Sequence, residues 1–363
     1  MKRRDFLRAM MGLSAGAICL SIPGALFAET EIEDHWQPIL ELARWCPSVH
    51  NLQPHRVKII NARELDIYYD PSHLLPYGDP HSIFATVAMG IFIEHISIAA
   101  AAYRLQAEIS KVYDAIDHQQ SGITPFARIR LVPQTVPDPL EPELILKRRT
   151  ARSHYNGKPP DPELLQKLQG ESALRGMEFN SSTDKSLVDL ILKQNENTLF
   201  EDLHATEMRN ELDHLFRYSK KEAQEHHDGL WSRCMGFPGA LMKSLFRHFD
   251  TWDRRELKNM ISGLYRKSFQ GTTTIGWVTG KFDDTSDYLH FGRLMARNWL
   301  LITKYDAYIQ PFGSLLTNKV AYKALSDKLT IPYGKTICMI FRVGYSKIPV
   351  RSYRLPLNQL IIP

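Results

Sequence analysis

The chain has 363 residues, 44% of them apolar and 23% charged, which is ample for a buried core and points to one large or two ordinary domains. The formal net charge is +5, but Lys2, Arg3, Arg4, Arg8 and Asp5 in the first 28 residues account for +3 of it. The remaining chain is close to neutral, so the charge gives no case for a nucleic-acid partner.

The N-terminus reads as a targeting segment. Lys2-Arg3-Arg4-Asp5-Phe6-Leu7-Arg8 resembles the twin-arginine signature, and a weakly apolar stretch from Ala9 to Phe27 follows it, broken by Gly12, Gly16, Pro23 and Gly24. Residues 1–28 are therefore expected to be a twin-arginine signal peptide, although Leu26 stands where cleavage after Ala28 would favour a small residue. That expectation places the protein in the periplasm, delivered already folded by the twin-arginine export machinery. With Cys19 in the signal, Cys46, Cys234 and Cys338 remain, an odd number that argues against a disulfide framework. No spacing of cysteine and histidine suggests a metal site. The His226-His227 pair lies in a polar stretch and reads as solvated.

In chain order, 34–45 predicts a short helix with Asp34 as its cap and with Ile39, Leu42, Ala43 and Cys46 on one face. Pro47 ends it. Arg56–Ile60 and Glu64–Tyr69 predict a strand pair around the turn Asn61-Ala62-Arg63. Ile83–Tyr103 is apolar nearly all round and long enough to cross a membrane. Glu94 and His95 in its middle would be costly in lipid, so it reads as a core helix at an interface. The prolines at 133, 137, 139 and 142 form a stiff connector and a boundary. Residues 183–285 combine charged helical stretches with aromatic, loop-like sequence, in which Gly271–Trp277 reads as flexible. This block is too long for an ordinary connection and is expected to be an inserted, mostly helical lid. Tyr288 to about Tyr305 predicts a second long apolar helix, and Thr336–Val343 a buried strand. Aligning Gly90 with Gly292 sets Ile93 against Met295 and Tyr103 against Tyr305, which suggests the same helical unit used twice. The expected division is a first half over 34–140 and a second over 146–363, the latter carrying the 183–285 insertion.

Three separated segments carry chemistry. The first is Pro47-Ser48-Val49-His50-Asn51-Leu52-Gln53-Pro54, the second Arg148-Arg149-Thr150-Ala151-Arg152, and the third Gly344-Tyr345 with Arg351 and Arg354-Leu355-Pro356-Leu357. Together and in this order they resemble the nitroreductase family, and the two-half arrangement with a lid is similar to its Acg-like branch. The resemblance covers roughly 34–180 and 286–360. It implies an α+β nitroreductase-like fold of two fused, diverged halves forming a pseudo-dimer, and an FMN cofactor.

The expected cofactor-binding residues are Pro47, Ser48, Asn51, Gln53, Arg148, Arg149, Thr150, Arg152, Arg351 and Arg354. Guanidinium groups bind a phosphate bidentately, which suits Arg148, Arg149, Arg351 and Arg354, with Thr150 adding a hydroxyl. Arg152 would sit nearer the ring, and Ser48 and Asn51 would hydrogen-bond the ring or the ribityl chain. No protein residue is expected to be catalytic, because the redox chemistry belongs to the flavin. The expected activity is reduction of a small electrophile, nitroaromatic or quinone-like, with NAD(P)H or a periplasmic or membrane partner as electron donor. The alternatives are an FMN-sequestering protein without turnover and a flavin-free scaffold. The resemblance also implies one flavin per chain and a monomer. His55 and His154 depart from the family's pattern and are expected to alter the substrate side of the pocket.

Overall fold

The computed structural model describes residues 35–363; the twin-arginine segment and the expected Asp34 cap lie outside the described residues. The first ordered element is α1 (Trp36–Ala43), which buries Trp36, Ile39, Leu40, Leu42 and Ala43 along one face. It leads through the 46–54 turn into β1 (His55–Ile59) and β2 (Glu64–Tyr69), paired antiparallel from His55↔Tyr69 to Ile59↔Leu65. Helix α2 (Ile83–Ala100) follows, then β3 (Leu105–Val112) and β4 (Thr124–Pro133). These strands form an antiparallel sheet in the order β1-β2-β4-β3.

After the proline connector come α3 (Glu143–Lys147), α4 (Pro162–Ala173) and β5 (Glu178–Ser182). The chain then makes a long excursion through α5 (Lys185–His204), α6 (Thr206–Leu215), β6 (Phe216–Arg217), α7 (Lys220–His226), β7 (Leu230–Trp231), α8 (Ser232–Met235), α9 (Gly239–Arg247), α10 (Phe249–Trp252) and α11 (Arg255–Ser268). It returns with β8 (Thr274–Gly280), α12 (Thr285–Lys304) and β9 (Tyr308–Pro311). Two short helices, α13 (Ser314–Thr317) and α14 (Lys319–Ser326), precede β10 (Thr336–Gly344), and α15 (Leu357–Leu360) closes the chain. The second antiparallel sheet has the order β5-β8-β10-β9.

The two sheets share one connection scheme. In each, the first two strands pair, a long helix follows, and the last two strands add in reversed spatial order. The tight turn 60–63 between β1 and β2 corresponds to the excursion between β5 and β8. Contrary to the loop-like reading of Gly271–Trp277, Thr274–Gly280 is a completely buried inner strand. Its β-branched residues and Trp277 suit a pleated surface covered on both faces, which runs against the flexible look of Gly271-Thr-Thr-Thr. The excursion therefore ends before residue 274 rather than at 285.

Helices α2 and α12 cross at two glycines. A Cβ on Gly90 would lie 2.3 Å from the Leu289 carbonyl oxygen and 2.9 Å from Gly292 Cα; one on Gly292 would lie 2.2 Å from the Val87 carbonyl oxygen and 2.9 Å from Gly90 Cα. The contact is reciprocal, each glycine meeting the carbonyl three residues before its counterpart, as at an isologous interface. Burial on nearly every side explains why α2 is apolar all round. It is long and apolar enough to span a bilayer, yet it is largely buried within the protein. The charge of Glu94 is satisfied there: Arg293 Nε donates to Oε2 at 2.7 Å and Arg297 Nη1 to Oε1 at 3.1 Å. Arg297 also pairs with Asp138 and Glu171, which holds its guanidinium firmly charged despite burial.

Candidate functional site

The site is assembled by three backbone excursions. In the 46–54 turn, His50 (φ +47°), Asn51 (φ +60°) and Gln53 (φ +54°) all occupy the left-handed region. Such residues are uncommon outside glycine and persist where surroundings over-determine them. The Gln53 amide donates to Ser48 Oγ at 2.9 Å, and Arg56 Nη1 donates to the carbonyls of Gln53 and His55, each at 2.8 Å.

The 148–152 segment is anchored to the second sheet, where the Ala151 amide donates to the Ile309 carbonyl at 3.0 Å. Arg342, fully buried in β10, donates to the carbonyls of Ser268, Ala151 and Ser153. The C-terminal tail leaves β10 and crosses to the first sheet, where Ile362 N donates to Val57 O at 2.8 Å. On the way, Arg354 Nε donates to the Cys46 carbonyl at 3.2 Å and Leu355 N to Gln53 Oε1 at 2.9 Å. Residues some 300 positions apart in sequence thus meet at one place.

Two connected hollows result. The smaller, about 40 Å³, is lined by Arg148, Arg149, Arg152, Arg351 and Arg354, with Trp45, Thr150, Cys234 and Ser352. Arg148 lies 4.6 Å over the Trp299 ring and Arg351 3.2 Å over Trp45. Among the described residues, no carboxylate pairs with Arg148, Arg149, Arg152 or Arg354. Burial lowers all four of these arginines from their ordinary pKa, Arg354 to about 10, with the neighbouring arginines adding to the effect on Arg148 and Arg354. Arg148 is 6% exposed, and its Nε and Nη1 have no hydrogen-bond acceptor. Buried cations without counter-charge are costly. A bound anion of phosphate type would relieve that cost at this point.

The larger cavity, about 390 Å³, shares Arg148, Thr150, Arg152, Cys234, Ser352 and Arg354 with the smaller one. Its walls come from the 46–54 turn, from α2 (Val87, Ala88, Ile91), from α12 (Met295, Trp299), from β9 and from the excursion after β5. They are mostly apolar and aromatic. Two buried acceptors there lack donors: Asn51 Oδ1 and Gln310 Oε1. His50 also lines the cavity, and desolvation, with a further push from Arg152, lowers its pKa to about 4.

Of the residues singled out from the sequence, Pro47, Ser48, Asn51, Arg148, Thr150, Arg152 and Arg354 line the larger cavity, and Arg149 and Arg351 line the smaller. Gln53 lines neither. Its amide nitrogen donates to the carbonyls of Asn51 and His227, and its oxygen accepts from Leu355, so its whole amide fastens the turn to the tail and the excursion. His55 and His154 do not reach the cavity. His55 is buried against Phe92, with ring centroids 4.2 Å apart, and His154 is exposed. His227 is not simply solvated: its carbonyl holds Gln53 and its ring meets the edge of Tyr353. Cys338 is buried core, and burial pushes its thiol up to about 12.

Trp45, Asp202, Cys234, Trp299, Gln310 and Arg342 were not found from sequence. Trp45 adjoins the first motif and could have been noticed. The others sit in ordinary helix, excursion or strand sequence and carry no local signal.

No family model matches the chain, and no curated protein matches it. Solved structures do. A nitroreductase-like family protein from Bacillus cereus is 14% identical, with 60% of this chain and 91% of that chain covered and a TM-score of 0.34. A nitroreductase with bound FMN from Desulfitobacterium hafniense is 12% identical, with coverages of 61% and 96% and a TM-score of 0.36. The FMN-dependent nitroreductase NfnB from Mycobacterium smegmatis in complex with NADPH is 12% identical, with coverages of 60% and 94% and a TM-score of 0.36.

Proposed function

We propose that this chain is an FMN-dependent oxidoreductase of nitroreductase type that reduces a small electrophile, nitroaromatic or quinone-like. The observation that carries the reading is the group of Arg148, Arg149, Arg152 and Arg354, which has no carboxylate partner among the described residues and opens into an apolar, aromatic-walled cavity. A flavin mononucleotide has that polarity: a dianionic phosphate at one end and, at the other, a flat aromatic ring system with broad stacking faces and a hydrogen-bonding pyrimidine edge. Bound there, it would supply the electron-transfer chemistry.

Arg148, Arg149, Arg351 and Arg354, with Thr150, would hold the phosphate. Arg148 Nε and Nη1 are donors in need of an acceptor. Arg152 would lie toward the ring and stabilise negative charge on it. Ser48 and Asn51 would hydrogen-bond the ring or ribityl chain, and the unfilled acceptors Asn51 Oδ1 and Gln310 Oε1 suit ring N–H or ribityl O–H donors. Gln53 holds the turn rather than the ligand.

The common strand order and the reciprocal glycine contact support two fused, diverged halves that form a pseudo-dimer, with the segment between β5 and β8 as a lid. Because one chain supplies all three segments of the site, a monomer with one flavin suffices. The N-terminal segment supports twin-arginine export to the periplasm, where a membrane or periplasmic partner would replace NAD(P)H as donor.

A second reading is favoured by the way the excursion is fastened. Gly229 N donates to Asn51 O at 3.1 Å, Asn51 Nδ2 donates back to Gly229 O at 3.2 Å, and Gln53 Nε2 donates to His227 O at 3.0 Å. A cover held to the flavin turn itself suits sequestering FMN without turnover. A visible spectrum of the purified protein, repeated anaerobically after NADPH addition, separates the two. Yellow protein that bleaches supports the oxidoreductase. Yellow protein that no donor bleaches favours sequestration, and protein that is colourless after incubation with FMN and removal of unbound flavin sinks both.

A further inference from the structure

One cavity group has no part in holding a phosphate-bearing ligand. Asp202 stands near the C-terminal end of α5, inside the excursion, and is the single carboxylate lining the larger cavity among the described residues. Its position is unfavourable twice over. The end of a helix carries partial negative charge, and the wall around it is apolar. Glu201 is its chain neighbour and adds repulsion; burial and Glu201 together push the Asp202 carboxyl up to about 6. Among the described residues, Asp202 has neither an ion-pair nor a hydrogen-bond partner. It therefore contributes nothing evident to folding.

Resting on the reading of this cavity as a flavin and substrate site, we propose that its substrate class is an apolar, ring-bearing organic cation whose ammonium group is met by Asp202. The cavity's aromatic side chains, among them Phe84, Phe246, Phe312 and Trp231, suit such a ligand, because aromatic walls accept a cation as well as a ring. The carboxylate would gain a charge-assisted hydrogen bond that it lacks in the protein. The arginine end would take the phosphate and the acid end the ammonium, so the two charges would orient the cofactor and the substrate independently.

The test uses the full chain as purified and two probes of matched shape, 4-nitrobenzylamine and 4-nitrotoluene, titrated calorimetrically. The expected result is an amine preference of about tenfold, the size of one charge-assisted hydrogen bond. In Asp202→Asn the preference should disappear while 4-nitrotoluene affinity stays put, and Asp202→Glu should retain part of it. No preference in the parent chain, or one that survives Asp202→Asn, overturns the proposal, as does failure of both probes to bind. FMN content per chain, read from visible absorbance, is scored separately. A chain that never binds FMN sinks the flavin reading, and the amine comparison still decides this one.

Discussion

Substituting the glycines where α2 and α12 cross tests how closely the core is tied to the cavity. In Gly90→Ala the new Cβ would stand 2.3 Å from the Leu289 carbonyl oxygen, and the atoms it meets are backbone. An ordinary carbon–oxygen contact begins near about 3.3 Å, so the helices must part by roughly 1 Å. A gap of that size forfeits about a quarter to a half of each dispersion contact along the crossing. Overpacking of this kind costs about 3 kcal/mol, and alanine returns about 1 kcal/mol of helix propensity, leaving a net loss of about 2 kcal/mol. For a 363-residue chain the unfolding entropy is about 0.8 kcal/mol/K, so Tm should fall by about 3 °C.

Gly292→Ala should behave alike, because its Cβ meets the Val87 carbonyl oxygen at 2.2 Å. One separation of the helices relieves both clashes, so the double variant should lose far less than the sum of the two singles. Since Val87, Ile91, Met295 and Trp299 line the cavity, FMN affinity should weaken as well. Calorimetric scans of the parent, both singles and the double read the cycle. A Gly90→Ala variant that gains about 1 °C, as propensity alone would give, refutes the close crossing; additive losses refute the shared relief.

Arg148→Met should weaken FMN binding by about 30-fold or more by removing a buried charge-assisted donor, while leaving the FMN-free protein as stable or more so; fluorescence titration beside thermal melts reads both, and a destabilised variant with unchanged affinity contradicts the assignment. Gln53→Ala strands the buried Leu355 amide and unfastens His227 and Asn51, so it should cost about 2–3 kcal/mol in urea denaturation and open the 183–273 segment to limited proteolysis. His50, whose folded pKa is about 4 against 6.5 unfolded, binds fewer protons when folded, so its contribution favours the native state above pH 6.5 and is lost as pH falls toward 4; buried His55 and His95 act in the same direction. His50→Asn, which tolerates the positive φ, should flatten the stability profile between pH 4 and 6.5, and an unchanged profile would remove His50 from the account.

Much of the architecture could be read from local sequence. Ile83–Tyr103 and the stretch after Tyr288 read as long buried helices, and the alignment of Gly90 with Gly292 matches their contact in the fold. The strand pair around Asn61-Ala62-Arg63 followed from alternation and turn residues. The inner strand Thr274–Gly280 did not, because Gly271-Thr-Thr-Thr looks like a loop until Phe179 and Phe341 cover it from the neighbouring strands. Sequence position alone makes His55 and His154 pocket residues. His55 opens β1 and its ring packs in the core against Phe92, whereas His154 lies in the loop after the 148–152 segment and stays exposed.

The sequence by itself determined the chemical types at the site: a proline-bounded turn, five guanidinium groups in two short segments, and a helix apolar enough to need burial on all sides. Those are properties of single segments, and composition and spacing express them. Tertiary structure alone decided that the segments meet. The tail must cross from the second sheet to pair Ile362 with Val57 before Arg354 can reach Cys46, and Arg342 must fill its place in the core before residues 151–153 are fixed. It alone also set the half-buried Asp202 against the cavity, since a carboxylate near a helix end reads as a surface group until the cavity forms beside it.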